Sequence, residues 1–385
     1  MIKRLIKLFP DPNYLAIICL FIIWKVILLF ILIGAFELIP LYSKHLLGGG
    51  FDKYSTFYYF LPWANFDGEH FLSIAQFGYQ QYQQAFFPLY PKLISLGMAI
   101  FGNSIRMGAI IGFTISSFCF LTGLILFYKL LKLDYSPRFS LGVIALLLLY
   151  PASFYFNAVY TESLFLMTIT GSFYFFRTKK YFWAGVFGLL ASTTRVFGVL
   201  LLLSFLIEAY LYKIPLKKIY WIALIPAGLL GYMIYLYNTV GDPLAFYNLQ
   251  LIVGEQHQRG IVLFPQVIFR YLKIVLTAEG LSPLFTTILF ELAAGIIFML
   301  LPIIGLFKKV RLSYLFFAFF GYVLPTIQGS FSSLPRYVLV LFPSFIVLAL
   351  IIKNLPMPLK ITLALLSFSL LVIETALYLR GYWVS

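Results

Sequence analysis

The residues best suited to chemistry lie in one short stretch, Asn65-Phe66-Asp67-Gly68-Glu69-His70-Phe71, where two carboxylates and an imidazole fall within four positions. The whole chain has only 13 acidic residues against 62% hydrophobic content, so such a cluster stands out. A carboxylate here can act as general base toward an acceptor hydroxyl. Glu162, Arg195 and the pair Arg336-Tyr337 stand at the starts or turns of later apolar segments. Guanidinium groups placed there can hold a phosphate bidentately as charge builds on it. Together these types suit transfer of a group from a phosphate-bearing lipid. Each also has a plainer reading. Asp67 can cap the helix 68–77, Glu162 can favour a helix dipole, and Arg195 and Arg336 can reach toward headgroups.

Membrane helices must position these residues. Charged residues make up 11% and aromatics 20% of 385 residues, and apolar runs recur throughout. That composition reads as a single all-α polytopic membrane unit over 1–385, with no soluble domain. Basic clusters separate the runs: Lys3, Arg4, Lys7; Lys129, Lys132, Arg138; Arg177, Lys179, Lys180; Lys213, Lys217, Lys218; Lys308, Lys309, Arg311; Lys353, Lys360. Placed on the cytoplasmic side, they give a bundle of about eleven spans. The spans fall at 14–39, 105–130, 139–153, 160–176, two within 181–212 split near Arg195, 219–238, 286–307, 313–328, 336–352 and 361–380. A long first outer loop, 41–104, carries juxtamembrane helices and the Asp67 cluster. A second, about 239–283, holds Asp242, Glu255, His257 and Arg259. Segment 86–101, broken at its start by Pro88 and Pro91, reads as re-entrant or interfacial, and 262–278 as an amphipathic helix on the outer surface. A charge at the bilayer centre costs about 2.5–3.5 kcal/mol, so the polar residues are expected at helix ends or in a polar cavity.

The net charge of +15 is topological in this arrangement and does not point to nucleic acid. Cys19 and Cys119 lie in apolar runs and read as buried free thiols, without a disulfide framework. Three scattered histidines, His45, His70 and His257, have no metal-ligand spacing, so no metal site is expected. Trp63, Trp183, Trp221 and Trp383 lie near span ends and read as an aromatic belt.

The run Phe66-Asp67-Gly68-Glu69-His70-Phe71-Leu72-Ser73-Ile74-Ala75-Gln76-Phe77-Gly78-Tyr79, followed by Ala85-Phe86-Phe87-Pro88-Leu89-Tyr90-Pro91, resembles the signature of the PIG-V mannosyltransferase family. That family belongs to the GT-C superfamily of membrane glycosyltransferases. Tyr150-Pro151-Ala152-Ser153, Tyr160 to Phe165, Thr193-Thr194-Arg195, Gly241 to Phe246 and Pro335-Arg336-Tyr337 resemble its later motifs in the same order. Phe66 departs from the tryptophan usual before the aspartate, an aromatic-for-aromatic change. The resemblance implies a GT-C fold, a polyprenyl-phosphate mannose donor, inversion at the anomeric carbon, and neither a nucleotide-sugar site nor a cofactor. It implies Asp67 as general base, with Glu69 and His70 orienting it or contacting donor or acceptor. Arg195 and Arg336 would hold the leaving phosphate, with Tyr337 beside them. Glu162 would bind a sugar hydroxyl or fix one of those arginines. The acceptor would be a glycolipid, a cell-wall polymer or a protein, reached at the non-cytoplasmic face of a plasma membrane or endoplasmic reticulum. The rival from another class is a transporter or lipid flippase, which calls for inverted repeats and charges near the midplane.

Overall fold

The computed structural model describes residues 11–42, 44–249, 262–277, 282–327 and 329–384. Lys3, Arg4 and Lys7, and the loop residues Glu255, His257 and Arg259, lie outside them. Among the described residues there are helices and no strands. Among the described residues five helices are long and apolar enough to cross a membrane: Asn13–Leu38, Ile105–Leu131, Leu216–Val240, Pro283–Phe307 and Met357–Leu379. They make this an integral membrane protein. The chain leaves Ile22, Phe30 and Ile33 of the first helix and Leu365 and Leu366 of the last exposed, as lipid-facing positions require.

The other expected spans are shorter. Pro137–Leu149, Tyr181–Thr194, Leu200–Leu211 and Leu312–Thr326 have 13, 14, 12 and 15 residues, against roughly 20 needed to cross the hydrocarbon alone. The expected hairpin break at Arg195 is present: Tyr181–Thr194 ends there and a 3-10 turn, Val196–Val199, leads into Leu200–Leu211. The segment 336–352 is not one helix. Leu334–Val338 forms a short turn of helix, and Phe342–Ile352 begins after it with Pro343 in its first turn. Segment 86–101 holds the helix Leu89–Phe101, 13 residues or about 20 Å at 1.5 Å per residue, too short to span. Phe264–Thr277 is the amphipathic helix expected, burying Val267 and Tyr271.

Close helix packing rests on small residues, as membrane interfaces favour. A Cβ at Gly123 would come within 3.2 Å of the Met167 amide, and one at Gly228 within 2.5 Å of the Leu189 carbonyl. These contacts hold Ile105–Leu131 against Glu162–Arg177, and Ile225–Val240 against Tyr181–Thr194. Glu162 and Arg177 sit at opposite ends of one 16-residue helix, about 22 Å apart by helical rise. At the Arg177 end the guanidinium donates to both Asp134 oxygens (2.7 and 2.9 Å) and to Tyr314, while Arg311 and Ser313 donate to Glu208. Two of the basic residues read as topological markers are therefore spent on a part-buried ion network.

Three further expectations change. Cys119 is buried but Cys19 is exposed on the first helix. Trp63 is no belt residue: it is 2% exposed, and its carbonyl accepts from the Val159 amide and Tyr378 hydroxyl. Charged residues are also not confined to helix ends. Lys25 lies mid-helix, donating to Ser117 and Asn157, and Glu291 and Glu374 are buried in Pro283–Phe307 and Met357–Leu379.

Candidate active site

Asp67 is the first residue of the helix Asp67–Phe77, and no side chain caps that helix. The preceding residue, Phe66, has φ 57°, a left-handed conformation costing on the order of 1–3 kcal/mol in a non-glycine residue. Three contacts hold it there. Its amide donates to the Leu46 carbonyl at 2.7 Å, and its ring packs on Tyr378 and edge-to-face on Trp383. Asn65, fully buried, accepts from the Gly48 amide and donates to the Tyr378 carbonyl, tying the first outer loop to the last helix. A Cβ at Gly48 would meet the Leu61 carbonyl oxygen at 2.0 Å, so only glycine fits this crossing. The strained turn thus directs Asp67 away from a capping position.

Arg336 arrives by the same device. Ser333, three residues earlier, has φ 59°, and its amide donates to Glu291 Oε1 at 3.1 Å. Arg336 is 8% exposed; its Nη1 donates to Asp67 Oδ2 at 2.5 Å and its Nε lies 3.7 Å from Glu162 Oε1. Arg195 Nη1 lies 3.2 Å from the same Glu162 oxygen. Tyr337 accepts weakly from Arg336 Nη2 (3.4 Å), and its ring lies under both guanidiniums, 5.5 Å from Arg195 and 5.1 Å from Arg336. The chain Asp67–Arg336–Glu162–Arg195 is therefore one continuous, largely buried ion network that opens at Asp67. It joins residues separated by up to 269 positions.

The network is incomplete as a set of hydrogen bonds. Arg195 Nη1, Arg336 Nε and Glu162 Oε2 are all buried without a hydrogen-bond partner. Buried polar atoms left so are rare and costly. Here they are two donors and one acceptor within a single cluster. Neither arginine is placed to reach headgroups; their side chains are 12% and 10% exposed.

Glu69 and His70 do not join this network. The Glu69 amide donates to the Phe66 carbonyl, but its carboxylate makes no hydrogen bond or ion pair, and burial pushes that carboxyl above the usual value of 4.5. His70 stacks on Phe86, ring centroids 4.9 Å apart, and burial pulls its pKa down against the opposing effect of nearby Asp67. Phe86 also meets Phe71 edge-on, while Phe87 packs on Tyr232 and on Phe246. The Phe-Phe-Pro block is thus the surface against which the Asp67 helix and the 241–246 motif are set. Asp242 itself closes a turn, accepting from the Leu244 amide and the Asn248 side chain.

Sequence reading missed Tyr155 and Glu291. The Tyr155 ring lies 5.5 Å from the Arg336 guanidinium and Tyr160 lies 5.4 Å from it, so Arg336 is enclosed by aromatic faces. Tyr155 stood between two recognisable motifs, a signal that could have been used. Among the described residues no group of three or more His, Cys, Asp and Glu side chains is arranged to hold a metal ion.

The crystal structure of the Archaeoglobus fulgidus oligosaccharyltransferase in the apo form is similar, with TM-score 0.50 and 14% identity, covering 94% of this chain and 56% of that chain. The same protein tethered with an acceptor peptide containing the NVT sequon aligns with TM-score 0.46 and 13% identity over 98% of this chain and 56% of that one. The first likeness shows a shared fold alone, and this chain spans 56% of that oligosaccharyltransferase. No curated protein matches. Residues 50–227 match the family model of Mannosyltransferase (PIG-V). That segment carries Asp67, Glu69, His70, Glu162 and Arg195, so the resemblance read from the motifs holds where most of the candidate residues stand, and across it the chain shows the Mannosyltransferase (PIG-V) family pattern.

Proposed function

We propose that the protein is an inverting membrane glycosyltransferase that moves mannose from a polyprenyl (dolichyl) phosphate to an acceptor hydroxyl on the non-cytoplasmic face. The observation that carries this reading is a pair of buried guanidinium N–H groups without a hydrogen-bond partner, Arg195 Nη1 and Arg336 Nε, in the ion network that also holds Asp67. A phosphate oxygen is the acceptor such donors suit, in bidentate or bridging geometry. Glu162 Oε2, the unpartnered acceptor between them, is suited to a sugar hydroxyl.

In the proposed step the acceptor oxygen attacks the anomeric carbon as the bond from that carbon to the phosphate oxygen breaks. The acceptor proton passes to Asp67 Oδ1, which makes no protein hydrogen bond, while Oδ2 stays on Arg336. Polyprenyl phosphate leaves with its new charge against Arg195 and Arg336. No metal ion or cofactor has a role in this scheme. Charge supports the non-cytoplasmic face: the site is at the Glu162 end of its helix, and the basic residues Lys129, Lys132 and Arg177 stand at the far ends of the packed helices.

The test is transfer of labelled mannose from polyprenyl-phosphate mannose by the protein in liposomes. Wild type should transfer, and Asp67→Asn should lose about 10²–10⁴-fold, the range for a general base, while inserting normally. An Asp67→Asn protein with unchanged turnover sinks the base assignment.

A further inference from the structure

A cavity of about 270 Å³ opens under the amphipathic helix Phe264–Thr277 and against the start of Pro283–Phe307; no residue of the ion network lines it. Its wall includes Arg270, Tyr271, Thr287, Glu291, Ser332 and Trp383. Glu291 is the informative member. It is a 4% exposed carboxylate in an apolar helix, where an ionisable group is expensive and its presence asks for a function. The Tyr271 hydroxyl donates to its Oε2 at 2.7 Å and the Ser333 amide to its Oε1 at 3.1 Å, which fixes its orientation at the cavity wall.

Two contacts join this cavity to the two sides of the Asp67–Arg336 pair. Trp383 meets Phe66, the residue before Asp67, edge-to-face at 5.6 Å. Ser333, bound by Glu291, opens the turn that carries Arg336. Whatever fills the cavity therefore packs against residues that hold the chain neighbours of Asp67 and Arg336 in place.

We propose that this cavity is an acceptor-side sugar subsite, holding one hexopyranose ring of a glycan or glycolipid acceptor; the inference rests on the transferase reading above. Its volume is near the lower end of small-ligand pockets, roughly 300 Å³, too small for a lipid tail folded on itself. Its charges, one carboxylate and one guanidinium, suit a neutral polyol and disfavour a phosphate, which Glu291 would repel. Thr287 and Ser332 add hydroxyls at the wall, and Trp383, 42% exposed, adds a flat apolar surface for the C–H face of the ring.

The experiment uses the full chain in nanodiscs with methyl α-mannopyranoside as probe and saturation-transfer difference NMR as readout. Wild type should pass saturation to the ring protons, and inorganic phosphate should not displace the sugar. The signal should fall at least threefold in Glu291→Gln and Trp383→Ala. Trp383→Ala can disturb Phe66, so Ile274→Trp, which fills the cavity from an exposed rim position, supplies an independent block and should remove the signal without lowering the melting temperature. Asp67→Asn should bind as wild type does even where transfer is lost, which separates this subsite from the assignment of the base. Absence of signal in wild type, displacement by phosphate, equal signal in Ile274→Trp, or loss in Asp67→Asn alone would each overturn the subsite.

Discussion

Glu162→Gln is the sharpest perturbation of the ion network, because it removes one charge and almost no volume. Glu162 is 1% exposed and its Oε1 faces two guanidiniums, at 3.2 Å from Arg195 and 3.7 Å from Arg336. At an effective dielectric constant of about 20, Coulomb's law gives each contact roughly 4–5 kcal/mol of attraction. Desolvation of the carboxylate offsets several kcal/mol of that sum. What the substitution leaves behind decides the net effect. Arg336 keeps Asp67, whereas Arg195 keeps only the faces of Phe165 and Tyr337. Breaking a buried pair costs about 3–5 kcal/mol. The lower end applies here, because neither contact has hydrogen-bond geometry. At about 2 °C per kcal/mol for a chain of this size, the midpoint should drop by roughly 6 °C. The assay is intrinsic fluorescence on heating in one detergent at one scan rate. Added inorganic phosphate should stabilise Glu162→Gln more than wild type, since two arginines then share a single protein carboxylate. A variant that melts at or above wild type without phosphate, or that gains no more from phosphate than wild type does, refutes the electrostatic account of the cluster.

Other expectations follow from the same geometry. Arg336→Lys keeps the charge but not the fork that reaches Asp67, Glu162 and Tyr337 together, so transfer should fall about 10²–10³-fold with the protein still inserted; activity near wild type would show that a point charge suffices. Glu69→Gln should raise the melting midpoint at neutral pH. The Glu69 pKa is raised by burial, so its folded state is favoured below the ordinary 4.5 and loses stability as pH rises through the folded value. The gain from glutamine should therefore shrink on going from pH 7.5 to pH 4, and an offset independent of pH would contradict it. Chelation with EDTA should leave transfer intact if arginines alone hold the phosphate; activity lost to chelator and restored by a divalent cation would overturn that part of the scheme.

The parts of the site legible in sequence are those whose cost forces them into short motifs. A carboxylate cluster in an apolar chain is conspicuous, as Asp67 is, and so are an arginine at a break between helices, as Arg195 is, and charges at helix starts, as Glu162 and Arg336 are. Their mutual geometry was not readable. The ion pair between Asp67 and Arg336 spans 269 residues and depends on two left-handed residues, Phe66 and Ser333, whose types give no sign of that conformation. Helix number was less legible still. Apolar content shows that a segment avoids water but not whether it spans alone, so short helices such as Pro137–Leu149 read as full spans. Lys25 and Glu291 were hidden by the assumption that charge avoids the membrane interior, when each is instead hydrogen-bonded inside it.

The two left-handed turns also explain why the site is assembled from distant parts of the chain. A carboxylate opening a helix ordinarily turns to its own amides or to the helix dipole, and Asp67 at the start of its helix had that option. The Phe66 conformation is held by Leu46, Tyr378 and Trp383, elements of the first loop and the last helix. Ser333 is held by Glu291, on a third element. The strain at each turn is thus sustained by packing from elsewhere, and Asp67 is released for Arg336 only when those elements are in place. Glu291 consequently has two connections to the chemistry: it lines the cavity whose Trp383 packs on Phe66, and it fixes the turn that presents Arg336. A substitution there that altered only stability would leave the pH dependence of transfer and the response to added mannoside unchanged. One that acts on the site must shift at least one of them, and that difference separates a scaffold residue from a positioning residue.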